Sequence, residues 1–127
     1  MILFVDNNLS IDAVRALQAL SLAIVHLRDE LPEDAPDDKW FDHCSRKGYA
    51  ALTRDRDLLN KPTLYAALVK ADITIFFIPR KMATMNPRQQ TVWLLKAWDH
   101  LEAACSRARR GRRMFRVQEN GKTEPYV

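Results

Sequence analysis

The sequence predicts an α/β fold built on a central, mostly parallel sheet of about four strands flanked by helices. Three observations predict it. Short apolar runs at 2–5, 22–27, 49–53 and 73–78 are separated by segments with helical spacing of apolar residues. Strands that alternate with helices in this way pair in parallel through crossover connections. Finally, the apolar runs lead into aspartates: Met1-Ile2-Leu3-Phe4-Val5 enters Asp6, and Tyr49-Ala50-Ala51-Leu52-Thr53 leads across Arg54 to Asp55 and Asp57. In parallel strands these acids share the carboxyl edge of the sheet, where open α/β folds bind ligands.

Each element has a local reason. Residues 2–5 form a short buried strand. Ser10 is a good N-cap, and Leu9 with Val14 makes a hydrophobic staple, so a helix runs over about 11–20 with Ile11, Val14, Leu17 and Leu20 on one face. Residues 22–27 form the second strand. The acidic stretch 28–36 holds Pro32 and Pro36 and reads as a loop. Asp37 caps a helix over about 38–47 that turns Trp40, Phe41 and Cys44 to the core, with Gly48 as its left-handed terminator. Residues 49–53 form the third strand, and Arg54-Asp55-Arg56-Asp57 a polar turn. Pro62 opens a helix to about Lys70. Residues 73–78 form the fourth strand, stopped by Pro79. After a basic connector, Asn86 and Pro87 start a long helix to about Ala108, with Leu94, Trp98, Leu101 and Cys105 as its core stripe. Trp93 falls outside that stripe and reads as facing a partner, with room for a homodimer. Asn120-Gly121 carries a hairpin signal, within a segment otherwise read as a basic tail.

The chain has 127 residues, enough for one domain with its own core. We read 1–80 as the α/β core and 81–127 as the C-terminal helix and basic tail. Apolar content of 47% and charged content of 28% are those of an ordinary globular protein. No apolar run reaches the roughly 20 residues of a membrane span, and the first residues lack a signal-peptide pattern, so a cytoplasmic protein without a membrane partner is expected. Cys44 and Cys105 then stay reduced. His26, His43 and His100 show no zinc-type spacing with them and take no catalytic role. Charge is divided: residues 1–60 hold 7 Lys/Arg and 11 Asp/Glu, whereas residues 61–127 hold 13 Lys/Arg and 5 Asp/Glu. Such asymmetry lets a basic half hold a polyanion against an acidic site.

Carboxylates gathered at one edge raise each other's pKa unless a cation joins them. Their oxygens are the ligands Mg²⁺ and Mn²⁺ prefer. Asp6, Asp37, Asp55 and Asp57 are therefore candidate metal-site and catalytic residues of a phosphodiesterase. Each has a plainer reading. Asp6 could cap the following turn, Asp37 its helix, and Asp55 and Asp57 could pair with Arg54 and Arg56 at the surface. The conjunction at one edge favours the site.

The residues that carry the site also resemble the PIN-like superfamily, and within it the small toxins of VapC type. The resemblance rests on Leu3-Phe4-Val5-Asp6-Asn7-Asn8-Leu9, on Ala35-Pro36-Asp37-Asp38-Lys39-Trp40-Phe41, and on Ala51-Leu52-Thr53-Arg54-Asp55-Arg56-Asp57. It implies a Rossmann-like, PIN-type fold and a Mg²⁺- or Mn²⁺-dependent endoribonuclease held inactive by a cognate antitoxin. It also implies that Asp6, Asp37, Asp55 and Asp57 hold the metal and that Asn8 orients Asp6. Asn7 stands where the family often has Glu. That departure supports an alternative, a catalytically degenerate module that binds RNA or an antitoxin without cleavage.

Six arginines fall within ten positions: Arg107, Arg109, Arg110, Arg112, Arg113 and Arg116. Arg109, Arg110, Arg112 and Arg113 are candidate RNA contacts, with salt-dependent affinity expected. Docking onto an acidic antitoxin and a solvated helix end favoured by the dipole are the competing readings. Arg54, Arg56 and Lys61 lie nearer the acids and are better placed to grip a scissile phosphate. A phosphoacceptor receiver domain using Asp55 and Lys81 is a third class. It is disfavoured by the single acid after the first strand and by a count of four strands.

Overall fold

The chain folds around a sheet whose two faces are both covered, as the apolar character of its inner strands requires. The structure, a computed structural model, describes residues 1–54 and 59–126. In chain order the strands are β1 Leu3–Val5, β2 Ile24–His26, β3 Ala50–Thr53, β4 Ile75–Phe77, β5 Met114–Val117 and β6 Thr123–Pro125. The helices are α1 Ile11–Ala19, α2 Leu27–Glu30, α3 Asp37–Lys47, α4 Pro62–Ala71, α5 Arg80–Ala83 and α6 Pro87–Arg107. The sheet order is β2-β1-β3-β4-β5-β6. Strands β1 to β5 run parallel, and β6 is antiparallel to β5.

Among the described residues the sheet therefore has six strands, not about four. Phe115 and Val117 are buried, whereas Arg116 between them is exposed. That period of two is the signature of a strand, but its charged positions made the segment look like a tail. The hairpin after it closes at Gly121, whose N–H bonds the Gln118 carbonyl at 2.9 Å.

Alternate strand residues feed two cores. Leu3, Val5, Leu52 and Phe76 pack under α1 and α6, and Phe4, Ala51, Ile75 and Phe77 under α3 and α4. Ser10 caps α1 by accepting the Asp12 N–H at 3.1 Å, and Leu9 and Val14 share one cluster. Leu20 lies beyond the end of α1 and is exposed, not on the buried face. Pro36, rather than Asp37, occupies the N-cap of α3, and Asp37 is the first helical residue. Gly48 ends α3 in the left-handed region, at φ 74°. Trp93 is also corrected: it is buried with the α6 core, and its indole N–H donates to the Glu119 carbonyl at 2.9 Å. Cys44 and Cys105 are both free thiols. No helix among the described residues is long and apolar enough to cross a membrane.

Candidate functional site

The chain leaves β1 for β2 on one side and later returns to place β3 on the other. The carboxyl ends of β1 and β3 thus flank a topological switch point, the place where open α/β sheets form a crevice. Asp6 follows β1 there, and Thr53 ends β3.

Asp6 is only 6% exposed, rare for an aspartate. Its Oδ1 accepts the Asn8 backbone N–H at 3.0 Å. Its Oδ2 accepts the Asn8 side-chain amide at 3.0 Å and the Thr53 hydroxyl at 2.6 Å. A carboxylate has about four acceptor directions, so these three bonds leave one open, on Oδ1. Burial pushes the Asp6 carboxyl above the ordinary aspartate range. The hydrogen bonds from Thr53 and Asn8 oppose that rise, and the nearby Asp37 carboxylate adds to it. No cation pairs with Asp6 or Asp37 among the described residues.

Asp37 reaches the same edge from the first turn of α3, and its Oδ1 accepts the Trp40 indole N–H at 2.9 Å. Trp40 is itself locked in the core, stacked on Phe4 with ring centroids 5.8 Å apart. A rigid aromatic thus fixes the carboxylate. Asn7 does other work: its side-chain amide donates to the Glu33 carbonyl at 2.7 Å, tying the segment after α2, a helix formed where the sequence predicted only loop, to the end of β1. His26 supports the same segment. Its Nε2 bonds the Leu9 carbonyl at 3.2 Å, and its Nδ1 accepts the Arg28 N–H at 3.1 Å. Burial lowers its pKa, consistent with a neutral ring that has one donor and one acceptor.

Asp55, Arg56 and Asp57 lie outside the described residues. Among the residues that are described, no three His, Cys, Asp or Glu side chains gather into a metal-binding group. The part that is described fits a hard divalent cation. Asp6 and Asp37 are oxygen donors close enough to interact, and no cationic side chain among the described residues pairs with either. Arg54 and Lys61 are exposed at the same edge, after β3 and at the start of α4.

The arginine segment is elsewhere. Residues 109–113 precede β5, which runs parallel to β1, so they stand at the amino edge of the sheet. A strand length of about 13 Å along the sheet and three strand spacings of about 5 Å each across it separate them from Asp6. Arg109 and Arg112 bridge each other within this turn, and Arg110 lies between them. Arg113 holds the end of α4, donating to the Asp72 carbonyl at 2.9 Å. Sequence reasoning passed over two groups. Thr53 stands in the third motif but was given no role there, and Arg80, exposed after β4 at the carboxyl edge, was read only as connector, with Lys81 beside it considered only for a receiver domain.

A family model described as "PIN like domain" matches residues 1–80. The chain belongs to the PIN-like domain family. The match spans β1 to β4 and includes every residue of the acidic edge. PIN-like domains are commonly nucleases and typically use divalent metal ions, so the family points to a nuclease at this site. It also outweighs the receiver reading, although five parallel strands remove the strand-count objection to it. No curated protein and no solved structure matches the chain.

Proposed function

We propose that this PIN-like protein is a cytoplasmic, Mg²⁺- or Mn²⁺-dependent endoribonuclease, the toxin of a type II toxin–antitoxin pair. The observation that carries the reading is the pairing of Asp6 and Asp37. Asp6 is buried, held by three donors and raised in pKa. Carboxylates gathered at a ligand-binding edge, with no counter-ion among the described residues, are relieved by a proton or by a bound cation. In this reading Asp6, Asp37, Asp55 and Asp57 hold the ion. Such an ion neutralises charge on the reacting phosphate and acidifies a water.

The chain's own residues set the geometry. Thr53 and Asn8 fix both oxygens of Asp6, and Trp40 fixes Asp37. Arg54, Arg56 and Lys61 grip the phosphates on either side of the scissile bond. Arg109, Arg110 and Arg112 act only on RNA long enough to pass around the sheet to its amino edge. The acidic partner that silences the enzyme and self-association into a homodimer complete the proposal.

One observation favours a second reading. Position 7 is Asn, which offers no carboxylate, and its amide is bonded to the Glu33 carbonyl rather than turned to the acids. A module that binds RNA or an antitoxin without turnover would tolerate this.

The test is cleavage of end-labelled RNA by purified protein with Mn²⁺ or Mg²⁺. We expect cleavage by the wild type, a loss of at least 100-fold in Asp6→Asn and Asp55→Asn, a magnitude set by removing a ligand that anchors catalytic charge stabilisation, and none in chelator. Saturable RNA binding with no metal-dependent cleavage assigns the degenerate module instead.

A further inference from the structure

The first half of α6 and the β5–β6 turn enclose a groove of about 580 Å³, separate from the acidic edge. Its floor is apolar, made by Met85, Val92 and Trp93. Arg88 and Lys96 flank that floor on α6. Arg88, Val92 and Lys96 are spaced i, i+4, i+8 and so form one row along the helix, with the two cations about 12 Å apart. Val92 is 46% exposed between them. Neither cation has an ion-pair partner among the described residues. The far wall is fixed before any ligand arrives: the Trp93 indole is bonded to the Glu119 carbonyl, and Gly121 is seated against the backbone of Ala97. Preformed walls reduce the ordering cost of binding.

We propose that this groove docks an acidic segment of a partner protein, one that carries an apolar side chain between two carboxylates. The spacing defines the ligand. Carboxylates two residues to either side of the anchor in an extended peptide lie about 13 Å apart. Carboxylates four residues to either side in a helix lie about 12 Å apart. Both match the Arg88–Lys96 separation. The apolar anchor covers Val92 and the Met85 side of the floor, and the outer face of Leu95, 42% exposed, extends the contact. A nucleic acid fits less well, because the Trp93 ring is only 8% exposed and offers little face for a base to stack on.

The inference goes beyond the nuclease reading and is tested without metal or RNA cleavage, so the two can fail separately. A phage-displayed random twelve-residue peptide library is panned on the full-length protein in chelator, with counter-selection on Val92→Arg. The enriched peptide is then synthesised and its affinity measured by fluorescence anisotropy. The expected consensus is an apolar residue between two acidic ones. Its affinity should fall at least tenfold in Arg88→Glu/Lys96→Glu and recover when the peptide's acids are exchanged for lysine. These side chains are exposed, so the variants should unfold at the wild-type temperature. No enrichment beyond the counter-selection, or a peptide indifferent to both variants, overturns the proposal. Single-stranded RNA bound by the wild type and lost in Val92→Arg also overturns it, in favour of a nucleic-acid groove.

Discussion

Asp6 shows how one side chain can cost the fold stability, a cost that the proposed metal site would offset. Its carboxyl is raised by burial, so the folded state holds its proton more tightly than the unfolded chain does. Stability from this group is present below the unfolded aspartate range and is lost as pH rises through the higher folded value. Near neutral pH and without metal, Asp6→Asn should therefore melt above the wild type. The gap should open as pH rises above the unfolded aspartate range, about pH 4, and level off once Asp6 has ionised in the folded state. Manganese should then raise the wild-type melting temperature and leave the variant unmoved, as binding to the native state alone requires. Thermal melts across pH, with and without Mn²⁺, check both signs. A variant less stable than the wild type at every pH would contradict the account. At this scale the sequence was informative about charge: Asp6, Asn8 and Asp37 stand in motifs that can be read directly. Thr53 and Trp40 stand in the same motifs, but their bonds to Asp6 and Asp37 could not be read there, because a strand-end threonine and a core tryptophan look the same whether or not they bond a carboxylate.

Elements were legible where local signals agreed with packing. Ser10 and Leu9 announced α1, Asn86-Pro87 announced α6, and both helices start there. The β5–β6 hairpin was hidden because its buried positions are interleaved with Arg116 and Glu124, which pair across the strands at 3.5 Å. The turn that closes it is also a packing device. A Cβ on Gly121, at φ +86°, would stand 3.0 Å from the Ala97 backbone, whereas one on Gly111, at φ +80°, would meet open space. Gly111→Ala should cost about 1 kcal/mol of backbone strain. Gly121→Ala carries that strain and a clash with a helix backbone that cannot give way, for about 2–4 kcal/mol in all. Urea denaturation of the two variants compares them directly, and equal costs would remove the hairpin's role as a seated wall.

At the scale of the molecule, the family match ends near Pro79-Arg80, yet the fold does not. β5 covers the edge of β4, and Phe115 and Val117 enter the same core as Leu3 and Leu52. Removing one buried Phe typically costs 3–5 kcal/mol, so losing the whole hairpin exceeds most of the roughly 5–15 kcal/mol that holds a small protein folded. A chain ended after Arg107 should show no cooperative melt and should aggregate through the bared β4 edge. A dispensable basic tail would leave the melt intact. Charge asymmetry pointed to a polyanion held near the acids, and topology divides that expectation: Arg54, Lys61, Arg80 and Lys81 share the acidic edge, whereas Arg109 to Arg113 do not. Distance across a sheet depends on strand direction, which a run of arginines does not reveal. The central claim is that the carboxyl edge holds a divalent cation through Asp6. Titration calorimetry with Mn²⁺ on the full-length wild type and Asp6→Asn, near neutral pH, tests it most directly. The account predicts saturable binding in the wild type that disappears in the variant. Equal binding in both, or none in either, would contradict it.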